Sequence, residues 1–178
     1  MMETKHFIDF SKQHNLKTLF AGVILGMLGI LIIMAIDSLW WLGELSPGQL
    51  ILYLFLTLIP GIYIHEGYHR LMARILGHYN KDSRSHWSEF PALEGLRKWE
   101  ALGIKLAPSL DLSLVAALII LFLPSSLNPF LSIFLVGNLA GSGSDYIQSY
   151  YIFKLATPNS VIRFTSTGLE IKQGVTAE

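Results

Sequence analysis

The chain contains four long apolar stretches, each of a length that can cross a lipid bilayer. The first runs without a charge from Leu19 to Ile36, and Trp40 and Trp41 follow it where an interfacial aromatic belt is expected. The predicted spans cover approximately residues 19–41, 49–76, 106–123 and 130–155. We therefore predict an all-α membrane protein that forms one integral-membrane domain over residues 1–178.

Polar segments separate the predicted spans. A turn at Ser46, Pro47 and Gly48 precedes the second span, and residues 78–105 are polar and broken, as in a loop or small extramembrane element. Apolar and polar positions then alternate through much of the tail, residues 157–178. This alternation predicts two short strands about a turn, outside the membrane.

Composition supports the membrane assignment, and the distribution of charge predicts how the chain is oriented in the membrane. The chain is 52% hydrophobic with 15% charged residues and a mean hydropathy of +0.47, which is too apolar for an ordinary soluble domain. Of its 13 Lys and Arg residues, 3 precede the first span, 7 lie from the end of span two to the start of span three, and 3 lie from the end of span four onwards. The positive-inside rule therefore places both termini and the long loop in the cytoplasm.

Three glycines, Gly22, Gly26 and Gly29, line one face of the first predicted span. Small residues at this spacing allow another helix to approach closely in a membrane. We expect that helix to belong to the same chain, with self-association into a homo-oligomer as the alternative.

The second predicted span contains a His-Glu-x-x-His sequence formed by His65, Glu66 and His69. On a helix the two histidines lie one turn apart on the same face, so their imidazoles can bind one metal ion. Glu66 lies beside them, where it can reach a water molecule on that metal. Since the chain has no cysteine, any metal must be held by His, Asp or Glu, a ligand set that indicates Zn²⁺.

Two histidines leave a zinc ion short of a third protein ligand, and depth in the membrane indicates one candidate. At 1.5 Å per residue, His65 lies ~24 Å into the second span and Asp145 lies ~22 Å into the fourth, which starts on the same side. Both residues therefore reach a similar level near the predicted cytoplasmic edge. The glycines and serines around Asp145 also allow the fourth helix to bend or unwind there.

Three other residues compete with Asp145 for the role of third ligand. Asp111 lies early in the third span and is also near the cytoplasmic edge, although it could pair with a cation at the interface. His78 and His86 lie in the polar loop, where a solvated surface histidine is the commoner case. Spacing alone leaves these alternatives open.

The motifs together resemble those of a known family. His65-Glu66-x-x-His69, with Asn138-x-x-Gly141-Ser142-x-x-Asp145 in a later span, is similar to the zincin-like membrane peptidases, a group distantly similar to the site-2 proteases. The resemblance extends to Ala107-Pro108 at the start of the third span and to the sequence Thr-Ser-Thr-Gly at 165–168. It implies that His65, His69 and Asp145 hold zinc and that Glu66 is the catalytic base.

The resemblance implies a zinc-dependent, membrane-embedded peptidase that hydrolyses a membrane or membrane-proximal protein. Asn138 is a candidate for substrate binding, or alternatively for bracing the bent fourth helix. We expect the partners to be the lipid bilayer and a protein or peptide substrate, and no nucleic acid. Two other classes stay open: an inactive zinc-binding interaction protein and a small transporter of metal or protons.

Overall fold

A computed structural model describes residues 5–9, 15–36, 45–78, 93–122, 127–165 and 168–173. Its elements are β1 (Lys5–Asp9), α1 (Asn15–Ala35), α2 (Pro47–Ile75), α3 (Lys98–Phe122), α4 (Asn128–Gly141), α5 (Gly143–Leu155), β2 (Val161–Phe164) and β3 (Gly168–Lys172). Within these ranges α1, α2 and α3 are long and apolar enough to cross a membrane. The prediction of a helical membrane protein is confirmed.

The first two predicted spans correspond to α1 and α2. Helix α2 begins with a capping box, in which the Ser46 hydroxyl accepts from the Gln49 N–H and the Gln49 side chain accepts from the Ser46 N–H. The end of the first predicted span, with Trp40 and Trp41, lies outside the described residues.

The third helix begins earlier than the sequence pattern predicted. We read residues 98–105 as part of a polar loop, but they form the first two turns of α3, and Ala101, Ile104 and Lys105 are buried. The Glu100 carboxylate accepts a hydrogen bond from the Arg97 N–H at 2.7 Å and so caps this end of the helix. The charged residues Lys98 and Glu100, which suggested a loop, therefore lie in the first turn of the helix.

The fourth predicted span consists of two helices, α4 and α5, which meet at Ser142. The Asn138 carbonyl at the end of α4 accepts from both the Ser142 hydroxyl, at 2.6 Å, and the Ser142 N–H, at 3.2 Å. The interruption predicted around these glycines and serines is confirmed. Because α5 starts with a new first turn, Asp145 lies close to a helix N-terminus.

The glycine face of α1 packs within the chain, against α4. A Cβ atom on Gly22 would lie 2.6 Å from the Ala140 carbonyl oxygen, and one on Gly29 would lie 3.1 Å from the Val136 Cα. The structure therefore uses the glycines for intramolecular packing, the first of the two expected alternatives. The close contact fixes α4 and the start of α5 beside α1.

Gly143 provides a test of this close packing. A Cβ atom at Gly143 would collide with the Thr18 carbonyl oxygen and lie 2.8 Å from the Gly22 nitrogen. Because both are backbone atoms, we expect Gly143→Ala to destabilise the protein by about 1–3 kcal/mol, measured by thermal unfolding in detergent. Gly103→Ala is the control, since a Cβ there meets nothing within 4 Å. An unchanged melting temperature for Gly143→Ala would contradict this packing.

A three-stranded antiparallel sheet in the order β1-β3-β2 adjoins the helices. Strands β2 and β3 are the two strands predicted in the tail, whereas β1 was not predicted. Since β1 precedes α1 and pairs with β3, which follows α5, the two ends of the helical region lie on the same side.

The sheet covers the ends of α2, α3 and α5. A hydrophobic core joins them, and its buried residues are Ala73, Leu93, Leu96, Ala101, Leu102, Ile104, Ile152, Ala156, Ile162, Phe164, Leu169 and Ile171. Leu96 also forms a β-bridge with Ile162. This core lies next to the helical turns that carry His69 and Lys105, so the sheet shields that end of the bundle from solvent.

Candidate metal centre

Helix α2 directs both histidines of the His-Glu-x-x-His sequence at one carboxylate. The Nε2 atoms of His65 and His69 lie 3.0 Å and 3.3 Å from Oδ2 of Asp145, in the first turn of α5. His69 and Asp145 are buried, with 1% and 4% of their surface exposed. One ligand atom from each of the three residues fits within a group 4.8 Å across.

The partner of each Nδ1 atom determines where the histidine proton lies. His69 Nδ1 lies 2.7 Å from the Ile104 carbonyl oxygen, which can only accept, so this nitrogen carries the proton. His65 Nδ1 lies 2.8 Å from Oδ1 of Asn138. The Asn138 amide nitrogen donates to the Pro108 carbonyl at 3.1 Å, which fixes the amide orientation and makes His65 Nδ1 a donor as well.

In the neutral imidazoles the proton is therefore on Nδ1, and both Nε2 atoms face Asp145 unprotonated. Two nitrogen lone pairs and a carboxylate oxygen then converge, and such a set of acceptors requires a cation or added protons between them. Ligands at 2.0–2.1 Å on a tetrahedral zinc ion lie roughly 3.3 Å apart, close to the observed separations from Asp145. The donor set of two imidazoles and one carboxylate fits zinc and leaves one coordination position open.

Lys105 of α3 holds the other oxygen of the same carboxylate. Its Nζ donates to Asp145 Oδ1 at 3.2 Å and lies 5.0 Å from the centre of the Phe164 ring in β2. Lys105 is buried, with 4% of its surface exposed. The sequence analysis missed this residue because it counted Lys105 with the loop charges. The sequence feature that could have indicated its burial is its position directly before an apolar helical run.

Glu66 lines a cavity of 140 Å³ together with His65 and Asp145. The remaining lining residues are Thr57, Leu58, Gly61, Ile62, Phe134, Gly137, Asn138, Gly141 and Ser144. The cavity is therefore polar near His65, Glu66 and Asp145 and largely apolar along α2 towards its middle. Its volume is similar to that of cavities that hold one benzene molecule, so it can take a water molecule or a single apolar group.

The competing candidates lie away from this cluster. Asp111 is exposed and accepts a hydrogen bond from the Tyr68 hydroxyl at 2.9 Å. His78 contacts Glu100, with 3.1 Å between Nε2 and Oε2. His86 lies outside the described residues. Of the candidates that the structure describes, Asp145 is the one beside both histidines.

Asn138 is buried beside His65, and protein groups contact both ends of its amide. Besides the Pro108 carbonyl, its nitrogen donates to the Ser113 hydroxyl at 2.8 Å, while its oxygen accepts from His65. This arrangement orients the imidazole and links α4 to α3. The predicted substrate-binding role of Asn138 stays a prediction, and the observed contacts favour the alternative of bracing.

A His-Glu-x-x-His helix whose histidines meet a carboxylate from a later helix defines a zincin-type site in a helical membrane protein. The comparison with family models agrees with this class. The model of the family described as "Putative zincin peptidase" matches residues 58–160, more than half of the chain, and the chain belongs to that family. The match extends from the cavity-lining part of α2 through α5 to the residue before β2. Searches of curated proteins and of solved structures gave no significant match.

Proposed function

We propose that this protein is a zinc-dependent, membrane-embedded peptidase with His65, His69 and Asp145 as the metal ligands. The observation that carries the proposal is the convergence of both Nε2 atoms on Asp145 while both Nδ1 atoms donate to fixed acceptors. Hydrogen-bonded acceptors of this kind orient metal-binding histidines in other proteins. Membership of the zincin peptidase family supports the same chemistry.

Glu66 is the proposed general base. A bound zinc ion supplies Lewis acidity, which activates water at neutral pH and polarises a peptide carbonyl. Glu66 adjoins His65 in sequence and lines the same cavity, so its carboxylate can take a proton from water and return it to the leaving amine. Lys105 and Asn138 are positioning residues in this scheme, because they hold Asp145 and His65.

The proposed substrate is a membrane or membrane-proximal polypeptide. The cavity extends from Glu66 towards Thr57, near the middle of an apolar helix that is long enough to cross the bilayer. Leu58 and Ile62, which border it, are exposed. An apolar segment that reaches the site from the bilayer would therefore meet matching side chains, whereas a charged segment would lose its hydration there.

We place both termini and the covering sheet in the cytoplasm. The distribution of Lys and Arg supports this orientation through the positive-inside rule. The pairing of β1 with β3 supports a common side for the two ends. In this orientation the metal ligands lie close to the cytoplasmic ends of α2 and α4.

Elemental analysis of detergent-purified protein tests the ligand set. We expect about one zinc per chain in the parent, and loss of that zinc in His65→Ala, His69→Ala and Asp145→Ala, because two ligands bind zinc weakly. Asp111→Ala is the matched control and should retain the metal, since Asp111 contacts Tyr68 instead. A parent protein that holds no metal after zinc is supplied would contradict the proposal.

A further inference from the structure

Helix α3 contains a proline, Pro108, in its interior. In a regular helix the N–H of residue 108 would donate to the carbonyl of Ile104, four residues earlier. Proline has no N–H, so this hydrogen bond cannot form. Ile104 is fully buried, and a buried carbonyl that lacks a partner is costly. The sequence therefore creates an acceptor at Ile104 that must be used by another group.

That group is a candidate metal ligand. His69 Nδ1 lies 2.7 Å from the Ile104 oxygen, the shortest of the histidine contacts in the site. The same turn of α3 also reaches the other histidine, because the Pro108 carbonyl accepts from the Asn138 amide, and Asn138 in turn accepts from His65. Both imidazoles are thus oriented through backbone groups around one proline.

We propose that Pro108 is a positioning residue of the metal centre. Because proline has no N–H, the Ile104 carbonyl can accept a hydrogen bond from His69. This hydrogen bond keeps the His69 proton on Nδ1 and leaves the lone pair on Nε2. The inference rests on the proposed zinc site, but it assigns a role to a residue that contacts neither metal nor substrate. A proline that served only to bend or pack α3 would influence folding and leave metal affinity unchanged.

Pro108→Ala separates these two roles. The new N–H at residue 108 competes with His69 for the Ile104 carbonyl, and loss of such an outer partner weakens metal binding by about 10–100-fold. Alanine is far better than proline in a helix interior, but Pro108 is buried and its ring contacts are lost, so the melting temperature of the metal-free protein should change little. We expect weaker zinc binding without a matching loss of stability, measured by chelator competition and thermal unfolding.

Gly103→Ala is the matched control, since it also improves helix propensity in α3 and its Cβ meets nothing within 4 Å. Its zinc dissociation constant should equal that of the parent. A dissociation constant for Pro108→Ala within about twofold of the parent would overturn the role of Pro108 alone. A parent that binds no zinc would overturn the proposed function and this inference together.

A measurement on the parent protein keeps the proposal testable if Pro108→Ala does not fold. Selective ¹⁵N labelling of histidine identifies which ring nitrogen of His69 carries a proton and how fast that proton exchanges with solvent. We expect a slowly exchanging proton on Nδ1. Absence of the Nδ1 proton, or its rapid exchange, would overturn the proposal.

Discussion

Glu66→Gln is expected to retain zinc and to lower peptide hydrolysis by roughly 10²–10⁴-fold, the contribution typical of a general base. Glutamine has nearly the same shape and keeps the cavity filled, but its amide cannot take a proton from water. Activity would be measured with a panel of apolar fluorogenic peptides in detergent micelles, and metal content by elemental analysis of the same samples.

Glu94→Gln is the control for this experiment. It removes the same charge from a side chain that is 62% exposed and paired with Arg163, away from the site. Equal hydrolysis by Glu66→Gln and the parent would assign the base to another residue. A zinc-loaded parent without hydrolytic activity would favour the alternative of an inactive zinc-binding interaction protein. If the protein is a transporter, Glu66→Gln should instead lower transport in a graded way.

Lys105→Met is expected to lower the free energy of unfolding of the metal-free protein by about 3–5 kcal/mol, because it leaves the buried Asp145 carboxylate without its cation. Methionine fills a similar volume, so the loss reflects charge more than packing. Zinc would replace part of the missing positive charge and should therefore raise the melting temperature more in Lys105→Met than in the parent.

Lys154→Met is the matched control, since it makes the same change on an exposed lysine of α5. It should leave both the stability and the response to zinc close to those of the parent. Lys105→Met with unaltered stability would contradict a buried ion pair between Lys105 and Asp145. Denaturant unfolding in mixed micelles, with and without zinc, provides both comparisons.

The parts of the site that depend on spacing within one helix could be predicted from the sequence. His65 and His69 are one helical turn apart wherever the helix lies, and hydropathy located the helix. Depth along the fourth apolar run made Asp145 a candidate third ligand, with Asp111 near the same edge as the alternative. Both arguments use distances along a helix, which the chain itself specifies.

Contacts between distant elements were less accessible from the sequence. Lys105 lies in a segment with several charges, and packing of the sheet, α2 and α5 around it makes the start of α3 a buried position. Strand β1 was missed because its partner lies at the other end of the described chain. The Ile104 carbonyl is a backbone atom, and its availability can be read only from the proline four residues later.

The strand order has a consequence for biosynthesis. Strand β3 is the central strand of the sheet, yet it follows every helix along the chain, so β1 and β2 have no central partner until β3 has been made. During synthesis the cover over Lys105 therefore forms last. Because Lys105 holds the Asp145 carboxylate, the buried surroundings of the candidate metal centre are complete only after every helix has been made.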